Sequence, residues 1–134
     1  MIFVDTSVLL DLVTKDSVWV SWSEDVLSWA SDRDKLAIDD AVYAELSVKF
    51  DSIALLDGMI ASFKLEHLQM PKEALFLAGK AHLRYRRKGG PRLGVLSDFF
   101  IGAHALVEKA PLITRDTRRI RTYFPALDLI APDR

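Results

Sequence analysis

The chain has 134 residues, half of them hydrophobic and 28% charged, with a net charge of -1: the composition of one globular domain, able to bury a core without disulfides or a structural metal. Zero cysteines exclude disulfides, thiolate-bound metals and a cysteine nucleophile, and they fit a cytoplasmic protein. The apolar start lacks a basic lead and is interrupted by Asp5 and Asp11, so no signal peptide is expected, and no apolar run approaches a membrane span.

In chain order, Met1 to Val4 is an apolar run too short for a helix and rich in Ile, Phe and Val, which reads as a fully buried strand. Asp5 closes it, and two hydroxyls, Thr6 and Ser7, follow. Open α/β sheets bind ligands at strand C-termini, which makes Asp5 a candidate site residue; equally, Asp5, Thr6 or Ser7 can simply cap a helix beginning near Val8. Asp16-Ser17 caps a second helix, where Val18, Trp22, Val26 and Trp29 recur at three or four residues and are expected in the core. Trp19 lies off that stripe and is available to a partner surface. Leu36-Ala37-Ile38-Asp39 is another short buried strand, and Asp39 or Asp40 caps a helix over Ala41 to Phe50. On that helix Val42 and Leu46 face inward; Glu45 lies between them in angle and either reaches out to solvent or points over the top of the sheet.

Asp51-Ser52 opens a helix over Ile53 to Phe63, and Leu65 to Met70 forms a short strand or extended link. Pro71 starts a long helix to about Lys88, with Ala74, Leu75, Ala78, Ala81, His82 and Tyr85 as its apolar set. Its end, Arg84-Tyr85-Arg86-Arg87-Lys88, places cations where a helix C-terminus favours them, and Gly89-Gly90-Pro91-Arg92 is expected to be a mobile loop able to close on a substrate. Ser97-Asp98 opens a helix over Phe99 to Lys109 that is apolar nearly all round, hence central; the carboxylate at its start is aimed at something specific or is a plain cap. Pro111 to Thr114 is a third strand candidate, after which Asp116 repeats the arrangement at Asp5, and Leu127 to Ile130 can add a last strand. None of His67, His82 and His104 has a second histidine at metal-binding spacing, and none is assigned to chemistry.

Alternating strands and helices imply a parallel sheet covered on both faces. Its strand C-termini share one edge, so Asp5 and Asp116 become neighbours if their strands are adjacent, and helix starts can bring Asp98 and Glu45 to the same edge. Carboxylates gathered there repel one another unless a cation neutralises them. Mg²⁺ or Mn²⁺ serves, held by one or two carboxylates with water and substrate phosphate, and it supplies phosphodiester chemistry. With no cysteine, paired histidine, glycine-rich phosphate loop or G-x-S-x-G, acid-held metal chemistry is the main catalytic option left. Residues 84 to 121 hold 10 of the 18 Lys+Arg and 3 of the 19 Asp+Glu, so a polyanion would be drawn there, although a solvated face has the same composition. Hydrolysis of a nucleic acid is the economical joint reading.

Ile2-Phe3-Val4-Asp5-Thr6-Ser7, Val42-Tyr43-Ala44-Glu45-Leu46, Ser97-Asp98-Phe99-Phe100-Ile101-Gly102-Ala103-His104-Ala105 and Leu112-Ile113-Thr114-Arg115-Asp116, in that order and spacing, resemble the PIN-domain nucleases, and among them the VapC-type toxins of bacterial toxin-antitoxin pairs. The resemblance runs over nearly the whole chain, taken as a single domain over residues 1–134, and implies a three-layer α/β/α sandwich with a central, mostly parallel sheet. It implies that Asp5, Glu45, Asp98 and Asp116 form a catalytic quartet around Mg²⁺, with Asp5 and Asp98 the surest direct ligands and Glu45 and Asp116 acting partly through water. Asp116 is also counted among the metal ligands, and Ser7 and Thr114 support the acids. RNA contacts are assigned to Arg84, Arg86, Arg87, Lys88, Arg92 and Arg115. The resemblance further implies endoribonuclease activity, a homodimer and a small cognate antitoxin, with no membrane partner. One departure is His104, two turns along its helix from Asp98, where mostly small apolar residues are expected.

Two other classes compete. A phosphoacceptor receiver domain shares the doubly wound form, but Asp5 has no acidic neighbour and no Lys follows Ile130. A non-catalytic RNA-binding or interaction module, its acids only capping helices, is the other.

Overall fold

The computed structural model describes residues 1–90 and 96–132. Among these, five strands, β1 (Ile2–Val4), β2 (Leu36–Asp39), β3 (Leu65–Leu68), β4 (Leu112–Ile113) and β5 (Leu129–Ile130), are joined by helices α1 (Thr6–Thr14), α2 (Val20–Ser31), α3 (Asp40–Ser47), α4 (Ile53–Ser62), α5 (Lys72–Arg87), α6 (Leu96–Val107) and α7 (Arg118–Tyr123). Every pairing is parallel, in the order β3-β2-β1-β4-β5, and the whole is the three-layer α/β/α sandwich expected. From β1 the chain steps outward to β2 and β3, then crosses back through α5 and α6 to β4 on the far side of β1. The switch in direction between β1 and β4 opens a crevice at the strand C-termini, where folds of this kind bind ligands.

Phe3, Val4, Ile38, Leu112 and Ile113 are completely buried. Helices cover both faces of the sheet, so these strands read as continuous apolar runs instead of alternating ones. Asp39 ends β2 and caps α3, its Oδ1 accepting from the Val42 amide at 3.0 Å. Its other oxygen accepts from Nδ1 of His104 at 3.3 Å. His104 is itself fully buried on α6, its ring centroid 4.7 Å from that of Phe3. The departure noted at His104 is therefore a packed, partnered core residue that ties α6 to β2 and α3. His67 is also satisfied locally, by Asp40 at 2.7 Å.

The core stripe expected on the second helix needs correction. Asp16 does open the segment, its Oδ1 accepting from the Val18 and Trp19 amides at 2.9 Å, but this makes a turn and the helix begins only at Val20. Val18 is 75% exposed and Trp29 43% exposed, while Ser23, Val26, Leu27 and Ala30 face inward. The cause is the close approach of α2 to α1, where the Ser23 hydroxyl donates to the buried carboxylate of Asp11 at 2.9 Å; a small side chain is required there. Leu75 on α5 is likewise exposed, and the small residues Ala74, Ala78 and Ala81 form the face that lies against α6. Helix α7 was not expected from the sequence. Of the expected loop, Gly89 closes α5 in the left-handed region (φ 86) that glycine adopts without strain, and Pro91 and Arg92 lie outside the described residues.

Candidate active site

Parallel pairing of β1 with β4 sets Asp5 against Thr114: the Asp5 amide donates to the Ile113 carbonyl at 2.9 Å, and the Thr114 hydroxyl donates to Asp5 Oδ2 at 2.8 Å. Ser7 donates to the same oxygen at 2.9 Å. Asp5 occupies the N-cap position of α1 with extended backbone, yet its side chain makes no capping bond. The carboxylate is instead held over the sheet edge. Thr114 Oγ1 also accepts from the Asp116 amide at 3.1 Å, so one hydroxyl orients Asp5 and shapes the turn that carries Asp116.

Glu45 turns over the top of the sheet. Its Oε1 accepts from Thr6 at 2.5 Å and its Oε2 from Ser97 at 2.7 Å, which links α3 to the starts of α1 and α6. Asp98 is the third residue of α6, in its first turn, and its Oδ2 accepts from Arg119 Nη1 at 2.5 Å. That guanidinium lies 5.3 Å from the centre of the Tyr85 ring. Asp116 is exposed on the link between β4 and α7.

These acids act on one another. Burial, reinforced by the charge of Glu45, raises the Asp5 pKa above its ordinary 3.8, against hydrogen bonds from Thr114, Ser7 and the Thr6 backbone that lower it. Asp98 is pushed up to about 6, chiefly by burial and then by Asp5, with Asp116 adding a little and Arg119 opposing. Unsatisfied negative charge in a shared crevice is the condition a divalent cation relieves. The donors are all hard oxygens, which suits Mg²⁺ or Mn²⁺ and disfavours soft metals. Among the described residues no three His, Cys, Asp or Glu side chains enclose a metal position by themselves.

Of the expected RNA contacts, Arg84, Arg86, Arg87 and Lys88 are exposed at the end of α5, and Arg84 and Lys88 stand 6.0 and 5.7 Å from the Tyr123 ring centre. Arg115 is placed differently. It forms a two-pronged ion pair with buried Asp11, both contacts at 2.8 Å, and covers the Trp19 ring at 5.3 Å. Arg92 lies outside the described residues. Thr6, Ser97 and Arg119 contact the quartet without having been singled out for it. Thr6 and Ser97 read as helix openers, and Arg119 was hidden in a basic run; the signal for its helix was the pair Ile120 and Phe124, one turn apart and both buried.

The PIN domain family model matches residues 2–125, and the chain belongs to that family. Solved structures share the fold across nearly the whole chain. VapBC2 from Rickettsia felis, bound to a DNA fragment from their promoter, is 23% identical with a TM-score of 0.72, covering 99% of this chain and 100% of that one. VapBC-1 from nontypeable Haemophilus influenzae is 21% identical with a TM-score of 0.72, covering 98% of each chain. A toxin-antitoxin complex from Klebsiella pneumoniae is 17% identical with a TM-score of 0.71, covering 99% of this chain and 98% of that one. No curated protein matches the chain. No helix among the described residues is long and apolar enough to cross a membrane.

Proposed function

We propose that this PIN-domain chain is a Mg²⁺-dependent endoribonuclease and the toxin of a toxin-antitoxin pair. The observation that carries the reading is the convergence of Asp5, Glu45, Asp98 and Asp116 on the β1/β4 crevice, where burial and neighbouring carboxylates raise the pKa values of Asp5 and Asp98, and Ser7, Thr114, Thr6 and Ser97 fix Asp5 and Glu45. Asp5 and Asp98 would hold Mg²⁺, with Mn²⁺ as a substitute, and Asp116 would complete the set directly or through water. Held there, the ion would supply an activated water and neutralise charge on the phosphoryl oxygens. Water oxygen adds to phosphorus in line as the bond from phosphorus to the departing ribose oxygen breaks, and that oxygen takes a proton from solvent. In this reading Glu45 accepts the water's proton, either itself or through a solvent molecule. Arg84, Arg86, Arg87 and Lys88 draw the RNA backbone toward the crevice by charge, and Arg92 is assigned with them on sequence. Arg115 acts instead through Asp11, bracing the turn before Asp116.

Likeness to VapBC and toxin-antitoxin structures supports a small antitoxin as partner; a homodimer and a cytoplasmic location belong to the same proposal on the sequence resemblance alone. The test is cleavage of total cellular RNA by the purified chain, in Mg²⁺ and in EDTA, beside Asp5→Asn checked for folding by circular dichroism. Cleavage by wild type in Mg²⁺ alone, lost in Asp5→Asn, is the expected result. Equal behaviour of both proteins with and without metal overturns it and leaves a non-catalytic RNA-binding or interaction module.

A further inference from the structure

Resting on the metal site proposed above, we infer that Arg119 is the built-in counter-ion of the crevice: in the metal-free protein its guanidinium occupies Asp98, and a divalent cation displaces it from there. Among the described residues, Arg119 alone brings a cation into ion-pair contact with a member of the quartet. Arg115 is committed to Asp11, and Arg121 reaches only the Thr117 hydroxyl, at 3.5 Å.

The contact is built for exchange. It uses one guanidinium nitrogen and one carboxylate oxygen, whereas a two-pronged pair such as Arg115 with Asp11 is the stronger arrangement. Asp98 Oδ1 accepts no hydrogen bond among the described residues, so an arriving cation has a free oxygen to take before the guanidinium leaves. Both partners keep about a quarter of their side-chain surface in water, 28% for Arg119 and 25% for Asp98, so neither is sealed in. Backbone motion is not needed, because buried Ile120 and Phe124 anchor α7 around Arg119. A second resting place is already present in the Tyr85 ring, 5.3 Å away, whose face attracts a cation. That ring is itself fixed: it lies 5.5 Å from Phe99 and 6.0 Å from Tyr123, and Gly90 approaches it so closely that a Cβ there would fall 2.4 Å from ring atoms. Displaced from Asp98, the guanidinium stays on Tyr85 beside the ion, where it can take a phosphate oxygen of the RNA.

The test is Mn²⁺ binding to the full, metal-free chain by calorimetry, without RNA, for wild type, Arg119→Gln, Arg121→Gln and Asp98→Asn. Arg121→Gln makes the same charge change on the same helix without touching the quartet. Removing an internal competitor worth one charge-assisted hydrogen bond should tighten binding about 10-fold in Arg119→Gln, and roughly 2-fold or less in Arg121→Gln. Asp98→Asn should abolish it. In wild type, the ¹⁵N side-chain resonance of Arg119 should shift as Mg²⁺ is added and saturate with the binding isotherm; this readout stands even if Arg119→Gln fails to fold. Equal changes in the two Gln variants, weaker binding in Arg119→Gln, or an unmoved Arg119 resonance overturns the exchange while leaving the metal site in place. Absence of Mn²⁺ binding in both wild type and Arg119→Gln overturns both readings.

Discussion

Asp98 shows how single residues set the electrical state of the crevice. Its folded pKa of about 6 lies above the ordinary 3.8, so the metal-free fold favours the protonated acid. The associated stability is complete below pH 3.8 and is lost as pH rises through about 6. A two-unit shift corresponds to about 3 kcal/mol, reduced to about 1–2 kcal/mol by water at the partly exposed carboxylate. Urea denaturation in EDTA should therefore find Asp98→Asn more stable than wild type by about that amount at pH 7.5. The difference should shrink as pH falls through about 6 and vanish below 3.8, and Mg²⁺ should narrow or reverse it at pH 7.5 by binding wild type alone. Thr114 is the complementary case. Its hydroxyl holds Asp5 and the turn to Asp116, and Thr114→Val should lower the cleavage rate in Mg²⁺ by roughly 10–100-fold, the usual cost of losing an outer partner of a metal ligand. The role of Asp5 was open in the sequence because an acid after a strand can cap the next helix. Only the strand pairing brings Thr114 beside it, and the Asp5 side chain makes no capping bond.

At the scale of elements, the strands were legible and the helix faces less so. A strand buried on both sides must be apolar throughout, and the runs at Ile2, Leu36 and Leu112 have no other economical reading. A helix face depends on how near its neighbour lies, which periodicity does not encode. Of the stripe expected inside α2, Val26 is buried and Trp22 packs against the core, but α1 sits close enough that Ser23 and Ala30 face inward while Trp29 is exposed. Glu45 was undecidable from angle alone, since its direction is set by hydroxyls from two other helices, Thr6 and Ser97. Asp39 joins three elements, capping α3 and accepting from buried His104 on α6. Asp39→Ala removes a cap, about 1 kcal/mol, and strands a buried imidazole, a further 1–3 kcal/mol. A loss of roughly 2–4 kcal/mol is expected in urea denaturation at pH 7.5, with Asp39→Asn recovering part of it.

For the whole molecule, a net charge of -1 hides a division of labour, with the basic residues concentrated after position 83 and the acids of the crevice drawn from both halves of the chain. The fold makes that division useful: the crossover through α5 and α6 carries the exposed Arg84, Arg86, Arg87 and Lys88 and returns Asp98 to the strand edge beside Asp5. Binding of single-stranded RNA in EDTA should weaken with salt. Neutralising Arg86 and Arg87 together should reduce the slope of log affinity against log salt by about 1.4, since each phosphate left without its cation accounts for about 0.7. Arg115→Gln should instead leave the slope nearly unchanged and lower stability, because it leaves Asp11 buried without its partner.

The proposed chemistry requires that these carboxylates hold a divalent cation at the C-terminal ends of β1 and β4. Anomalous diffraction from crystals soaked in Mn²⁺ locates the ion directly. A peak within coordination distance of Asp5 and Asp98, absent in Asp98→Asn crystals, is the predicted result. A peak only elsewhere on the surface, or none at saturating Mn²⁺, would contradict it.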